Sequence, residues 1–146
     1  MTSLYDADFY AWANQQASLL RAGKLSSADI EHIAEEIESM GKSERRELIS
    51  RLTVLLAHLL KWQYQPERRG NRWRATIKVQ RRDLARHLSD NTSLTAQLGV
   101  ALEDAYGSAV LLASAETDRP ESDFPAECPW SYRQAAEPDF LSLIHI

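Results

Sequence analysis

A chain of 146 residues, 44% hydrophobic and 26% charged, has the usual size and composition of one globular domain. Its net charge of −4 argues against a dedicated DNA-binding domain, and its single cysteine, Cys128, excludes an intramolecular disulfide and fits a reducing compartment. No signal peptide and no run of about 18 apolar residues is evident, so we expect a cytoplasmic protein with no membrane partner.

The first two predicted helices follow from caps and apolar spacing. The first covers about residues 7–22, with Asp6 as N-cap and Gly23 as terminator. The second covers about residues 27–63, with Ser26 as N-cap. Its apolar residues recur every three or four positions and keep one helical phase, which predicts burial along a central rod. They are Ile30, Ile33, Ile37, Met40, Leu48, Leu52, Leu55, Leu59 and Trp62.

The second helix is long for a chain of this size. It would extend roughly 55 Å, against a diameter of about 38 Å for a compact domain. Either Gly41 breaks it, with Ser43 capping a new start, or the protein is elongated. Because the phase is kept, we favour one continuous, bent helix. Its overhang would need a partner, which indicates a homodimer or another protein partner.

Two further helices and an arm complete the predicted fold. The third helix covers about residues 71–89, with Asn71 as N-cap, and the fourth about residues 92–116. Four prolines then predict an extended arm over residues 118–140, with a short helix near 131–136. The prediction is a single all-α domain over residues 1–146. It consists of a bundle of four main helices (1–117) with a long central helix, the Pro-rich C-terminal arm, and an unassigned tail at 141–146.

Positive charge is concentrated in one segment. Residues 61–86 contain nine Lys or Arg against two acids, a local charge of +7, which leaves −11 for the rest of the chain. One interpretation is contact with phosphates, or with another anion, through arginines of this segment. Those candidates are Arg68, Arg69, Arg72, Arg74 and Arg81. The other interpretation, which we favour, is a solvated face that complements acidic residues at the start of the second helix. Nucleic-acid binding is therefore an open alternative.

His58 and Lys61 are the only weak catalytic candidates. They lie three residues apart on the second helix, and neighbouring cations predict a lowered pKa for His58, which would make it a neutral base. No nucleophile or carboxylate at helical spacing completes a catalytic set. Whether the chain is an enzyme is left open, with a non-enzyme favoured.

The sequence favours no metal and no cofactor. Asp29 and His32, with Glu35 and Glu36, offer ligand atoms on one helix, but the chain has no Glu-x-x-His pair of the kind that di-iron bundles use. Acidic residues also stabilise a helix N-terminus without any metal. Cys128 has no redox partner, and we expect a small buried anchor in the arm.

Several blocks of sequence resemble one known family. The strongest is Leu52-x-x-Leu55-Leu56-x-His58-Leu59-Leu60-Lys61-Trp62-x-x-Gln65-Pro66, flanked by Tyr5-Asp-x-Asp8-Phe9-x-x-Trp12, Leu20-Arg21-x-Gly23, Ile33-x-Glu35-Glu36-Ile37, Trp73, Gln80-Arg81 and Phe124-Pro125-x-x-Cys128-Pro129. The chain resembles the bacterial proteins grouped as domain of unknown function 29. The resemblance implies an all-α, cytoplasmic bacterial protein without an assigned activity, so it transfers no functional residue. The ending at 141–146 departs from the family's usual finish.

The leading functional hypothesis is an interaction or scaffold module that self-associates or binds another protein. It follows from the overlong central helix, its wide apolar face and the missing catalytic set. An anion or nucleic-acid binding module working through residues 61–86 is the first alternative. An enzyme using His58 and Lys61 is the second.

Overall fold

The computed structural model describes residues 3–140, and within them the chain forms six α-helices and no strand. The helices are α1 (Leu4–Ala7), α2 (Phe9–Arg21), α3 (Ile30–Tyr64), α4 (Asn71–Asp90), α5 (Leu98–Thr117) and α6 (Tyr132–Ala136). Turns of 3₁₀ helix connect them at Leu25–Ser27, Pro66–Arg68, Thr92–Gln97 and Glu121–Asp123. The all-α prediction with a long central helix is confirmed. The unassigned tail at 141–146 lies outside the described residues.

The chain divides into two compact units, Met1–Ser43 and Glu44–Ile146, here called unit 1 and unit 2. Unit 1 contains α1, α2 and the first part of α3. Unit 2 contains the rest of α3, the helices α4 to α6 and the arm. The single domain expected over residues 1–146 stays a prediction.

The N-terminal region has two helices where one was predicted. The Ser3 hydroxyl caps α1 by accepting from the Asp6 N–H at 3.3 Å, and the Asp8 carboxylate caps α2 by accepting from the Ala11 N–H at 3.0 Å. Asp6 is therefore not the N-cap, and the helix expected over 7–22 is interrupted at Asp8, where the backbone leaves helical geometry. Gly23 follows the end of α2 at φ +72°, as a terminating glycine should.

Helix α3 is continuous through Gly41, which confirms the predicted continuity, while the bend stays a prediction. It begins at Ile30, three residues later than expected, because residues around Ser26 form a 3₁₀ turn. The Asp29 carboxylate accepts from the His32 N–H at 3.4 Å and takes the capping role that the sequence assigned to Ser26.

The core of unit 2 surrounds the second part of α3. Six leucines of this helix are completely buried, together with Trp62: Leu48, Leu52, Leu55, Leu56, Leu59 and Leu60. Helix α4 adds Ile77 and Leu84, while α5 adds a row of small residues that allow close helix approach. That row is Ala101, Ala105, Ala109 and Ala113. Burial of this apolar surface is the main favourable contribution to the folding of unit 2.

The starts of α4 and α5 differ from the sequence prediction. Gly70 occupies the N-cap of α4, and Asn71, expected there, is the first helical residue. The segment predicted as the start of the fourth helix is the 3₁₀ turn Thr92–Gln97, so α5 begins only at Leu98. Together these stretches, Thr92–Thr117, are long and apolar enough to pass a length and composition test for a membrane span, as core helices of globular proteins also do. The expected lack of a membrane partner stays a prediction.

The arm packs on the core through its aromatic residues. Phe124 and Trp130 are buried, and the Tyr106 hydroxyl of α5 donates to the Pro125 carbonyl at 2.6 Å. The short helix expected near 131–136 is present as α6. Ser131 and Gln134 form a reciprocal capping box at its start, in which each side chain bonds to the other residue's backbone N–H.

Candidate functional site

In unit 1, the polar side of α3 faces α1 and α2. The Trp12 indole N–H donates to the Asp29 carboxylate at 3.0 Å, and the Gln16 side-chain oxygen accepts from the Asp29 N–H at 2.7 Å. The Tyr5 ring stacks on His32 with 3.9 Å between centroids, and its hydroxyl donates to Glu36. Residues 29, 32 and 36 share one helical face, so unit 1 is held together mainly by polar and aromatic contacts.

These contacts change the ionisation of the groups involved. The hydrogen bond from His32 is the largest cause that lowers the pKa of Asp29, and the same bond is the largest cause that raises the pKa of His32. The hydrogen bond to Glu36 is the largest cause that raises the pKa of Tyr5 to about 12, and desolvation and the neighbouring carboxylates add to it. Asp29 and His32, considered above as metal ligands, are thus each other's partners at 2.7 Å.

The apolar side of α3 in unit 1 is exposed. Ile30, Ile37 and Met40 expose 53%, 59% and 60% of their surface, although the sequence predicted their burial along the central rod. That expectation is wrong for these residues. The helix faces α1 and α2 with residues 29, 32 and 36, and Ile30 and Ile37 lie about a quarter turn or more away from these, whereas Met40 lies one turn beyond residue 36. We call Ile30, Ile37 and Met40 the α3 apolar face. Other exposed apolar side chains in unit 1 are Leu4, Phe9, Tyr10, Leu20 and Leu25.

In unit 2, the Glu116 carboxylate lies beside the predicted pair His58 and Lys61. The buried Lys61 ammonium pairs with the Glu116 carboxylate of α5 and lies 3.5 Å from His58 Nε2. His58 Nδ1 donates to the Val54 carbonyl at 2.8 Å, which leaves Nε2 as an acceptor for the ammonium. Glu116 could not be found from sequence spacing, since it lies 55 residues from Lys61.

The group formed by His58, Lys61 and Glu116 can be read as a structural contact or as a reactive site. Burial is the largest cause that lowers the pKa of His58, and the Lys61 charge adds to it, so the imidazole is a neutral base at neutral pH. The Lys61 ammonium also lies 5.2 Å from the centroid of the Trp73 ring. Three cavities are described in unit 2, and neither His58 nor Lys61 lines any of them. The geometry therefore offers an ion pair between the buried Lys61 and the exposed Glu116, which joins α3 and α5, more readily than an active site.

The structure disperses the predicted anion-binding arginines. Arg68 and Arg72 are exposed, whereas Arg69 and Arg74 lie over the buried Trp62 ring, 5.2 and 5.1 Å from its centroid. Arg81 is buried and donates to carbonyls of the arm. The five residues do not form one continuous surface for a phosphate chain. Trp73 is partly buried against the core, so packing accounts for it.

One additional cluster joins ligand-type side chains that the sequence analysis did not connect. Glu44, Glu47 and His87 bring ligand atoms within 4.8 Å of one another, with His87 Nδ1 2.7 Å from the Glu47 carboxylate. His87 Nε2 donates to the Glu44 carbonyl at 2.8 Å, which fixes the ring. A cation could be held by the remaining nitrogen and two carboxylates, while an ion pair accounts for the same geometry. The expected absence of a metal site stays a prediction.

The largest of the three described cavities, about 720 Å³, lies between α5 and the arm and includes Cys128. The thiol approaches the Trp130 carbonyl at 3.2 Å, and burial raises the pKa of the thiol. A thiol that resists deprotonation is a poor nucleophile. Cys128 therefore fits the predicted structural role in the arm, where it is partly buried against the core.

Comparison with known proteins gives one family. The model of a family described as Domain of unknown function DUF29 matches residues 4–141. The comparison with curated proteins found no match, and neither did the comparison with solved structures.

Proposed function

Because the chain belongs to the DUF29 family, whose function is unknown, we propose a role from its own residues. We propose that the protein is an interaction module that self-associates, and that a second copy covers the α3 apolar face of unit 1. We further propose that it works in the reducing cytoplasm, which its single, partly buried cysteine suits.

The orientation of α3 in unit 1 is the observation that carries this proposal. A helix of a globular domain normally turns its apolar stripe toward its own core. Here Ile30, Ile37 and Met40 of the stripe are exposed and Ile33 is half-buried, while residues 29, 32 and 36 contact the neighbouring helices through hydrogen bonds and a ring stack. Exposed apolar residues that form a contiguous surface mark sites of association.

The spacing of the stripe favours another copy of the same chain as the partner. Apolar residues at 30, 33, 37 and 40 follow the alternating three- and four-residue steps that self-pairing helices use. Two such repeats give a short seam, and stable interfaces bury about 1,200–2,000 Å² in total. Other exposed apolar residues of unit 1, such as Phe9 and Leu25, would therefore have to contribute to the same contact.

Substitution of the α3 apolar face tests the proposal. We expect the wild-type chain to be a dimer, and the Ile37→Gln/Met40→Gln variant to be a monomer at the same concentration. Glutamine keeps helix propensity, so the loss should come from the apolar contact. Each side chain is lost in both copies, and about 1.5–3 kcal/mol per buried side chain predicts an affinity weaker on the order of a thousandfold or more. Light scattering coupled to size exclusion measures the mass.

Leu111→Gln/Leu112→Gln is the matched control, since both leucines are exposed on α5 in unit 2. This variant should remain a dimer. A wild-type chain that stays monomeric at every concentration would refute the proposal. So would a dimer that survives the α3 substitutions, or one that the α5 substitutions dissociate equally well.

A further inference from the structure

Arg81 of α4 has an unusual environment. Only 7% of its surface is exposed, and the arm holds its guanidinium in place. Nε donates to the Ala135 carbonyl at 2.8 Å and Nη1 to the Pro138 carbonyl at 3.4 Å, whereas the buried Nη2 has no hydrogen-bond partner within residues 3–140. A buried charged donor without a partner is costly, so an acceptor at this position would be strongly favoured.

A cavity of about 540 Å³ lies beside this guanidinium. Three of its lining residues are cationic, and the others are small and apolar: Lys78, Arg81, Arg82, Ala85, Ala136 and Pro138. The four residues from α4 share one helical face, since they are spaced by three and four positions. Cavities that hold small ligands in proteins measure about 300–1,000 Å³ and combine apolar walls with a few polar groups.

The charges around the cavity favour an anion. Arg82 is bonded to the neighbouring Asp83 at 3.3 Å, and Asp83 also binds Arg51 of α3 at 3.2 Å. Lys78 has no ion pair with any residue that the structure describes. Burial lowers the pKa of Arg81 and the charge of Glu137 raises it, and a guanidinium stays protonated in proteins. Glu137 is thus a carboxylate whose charge acts on Arg81, yet the two form no ion pair.

We propose that this cavity binds a small monocarboxylate with an apolar body. Its carboxylate accepts a hydrogen bond from Lys78 and, after a small shift of the Arg81 side chain that turns Nη2 toward the cavity, a second one from Nη2. Its apolar part packs against Ala85, Ala136 and Pro138. Because Arg82 is already bonded to Asp83, two cationic donors beside three small apolar residues suit a single negative charge better than a polyphosphate. A nucleic-acid strand would instead need a row of exposed cations.

The full-length chain should bind octanoate, the probe chosen here, and should not bind octan-1-ol, which has the same apolar body without the charge. Isothermal titration calorimetry measures both. Lys78→Gln removes one charged donor, and we expect octanoate affinity at least tenfold lower, roughly the effect of losing one charge-assisted hydrogen bond. Ala85→Leu fills the cavity from the same helix face and should weaken binding similarly.

Arg86→Gln is the matched control, because it removes one exposed cation from the same helix without touching the cavity. It should leave octanoate affinity unchanged. Lys78 and Ala85 are exposed, so these substitutions should leave the helical circular dichroism intact.

Four results would overturn the proposal. They are absent octanoate binding, equal binding of octan-1-ol, an equal loss in Arg86→Gln, and tighter binding of inorganic phosphate or a single-stranded oligonucleotide. The self-association variants leave this cavity intact, so the two proposals fail independently.

Discussion

His32 and His58 should titrate on opposite sides of the ordinary imidazole value of 6.5. The hydrogen bond to Asp29 stabilises the charged form of His32, so its midpoint should lie above 6.5. Burial disfavours the charged form of His58, so its midpoint should lie below that value. A pH titration of the imidazole resonances by NMR measures both. Asp29→Asn is the control, and it should lower the midpoint of His32 while leaving that of His58 in place.

The two histidines therefore give opposite pH dependences of stability. The folded-state pKa of His32 is raised, so its contribution is complete below pH 6.5 and is lost as the pH rises through its folded-state pKa. The folded-state pKa of His58 is lowered, so its contribution is complete above pH 6.5 and is lost on acidification. Two results would contradict these pKa directions: a titration midpoint for His32 below that of His58, or a His32 midpoint that does not change in Asp29→Asn.

Leu55 should be among the residues whose truncation costs most. Its side chain is completely buried in the core of unit 2, and Leu55→Ala should lower the free energy of unfolding by about 2–5 kcal/mol. Urea denaturation followed by circular dichroism, at one fixed protein concentration, measures the change. Leu111→Ala, at an exposed position of α5, should change it by less than about 0.5 kcal/mol. Equal losses in the two variants would contradict the core assignment.

At the scale of elements, the continuity of α3 makes Gly41 a site for stabilisation. No atom lies within 4 Å of the Cβ that Gly41→Ala would add, and alanine is favoured over glycine inside a helix by about 0.5–1 kcal/mol. This variant should raise the free energy of unfolding by that amount. Gly23→Ala is the contrasting change, since φ +72° at that turn disfavours any other residue. Thermal and urea unfolding should show a higher free energy of unfolding for Gly41→Ala and a lower one for Gly23→Ala. Stabilisation by both substitutions would contradict the backbone conformation assigned to Gly23.

The sequence predicted the helices better than it predicted which residues contact one another in the fold. The apolar period of α3 was enough to predict one long helix through Gly41, because periodicity is a local property. Caps were less certain, since Asp6, Asp8 and Ser3 all have side chains able to cap and only the backbone path selects among them. Segment 92–97 was predicted as the start of the fourth helix, yet it forms a 3₁₀ turn, and half of its residues are Thr or Ser, which have low helix propensity.

Site chemistry escaped prediction wherever it depends on distant contacts. His58 and Lys61 are visible at helical spacing, but Glu116 reaches them from another helix. The arginine-rich segment identified Arg81 as a cation, while the carbonyls that hold it come from residues more than 50 positions later. No local sequence pattern predicts that the C-terminal arm will bury the Arg81 guanidinium.

For the whole molecule, the sequence separates positive and negative charge into different segments, but charged side chains also pair with close partners within their own unit. In unit 2, Lys61 pairs with Glu116, Arg51 with Asp83 and Arg45 with Asp104. In unit 1, Asp29 and Glu36 are bonded to side chains of that same unit. Among the cations of residues 61–86, Lys61 and Arg82 are used in such pairs, and Lys78 is among those that remain for an external ligand.

The contacts of unit 1 also have a consequence for how the protein responds to its own abundance. Trp12 is the one buried hydrophobic residue between positions 3 and 43, so this unit gains little from withdrawing apolar surface from water on its own. Covering of the α3 apolar face by the proposed second copy would therefore add to the stability of unit 1. By mass action, this gain would rise with the concentration of the protein.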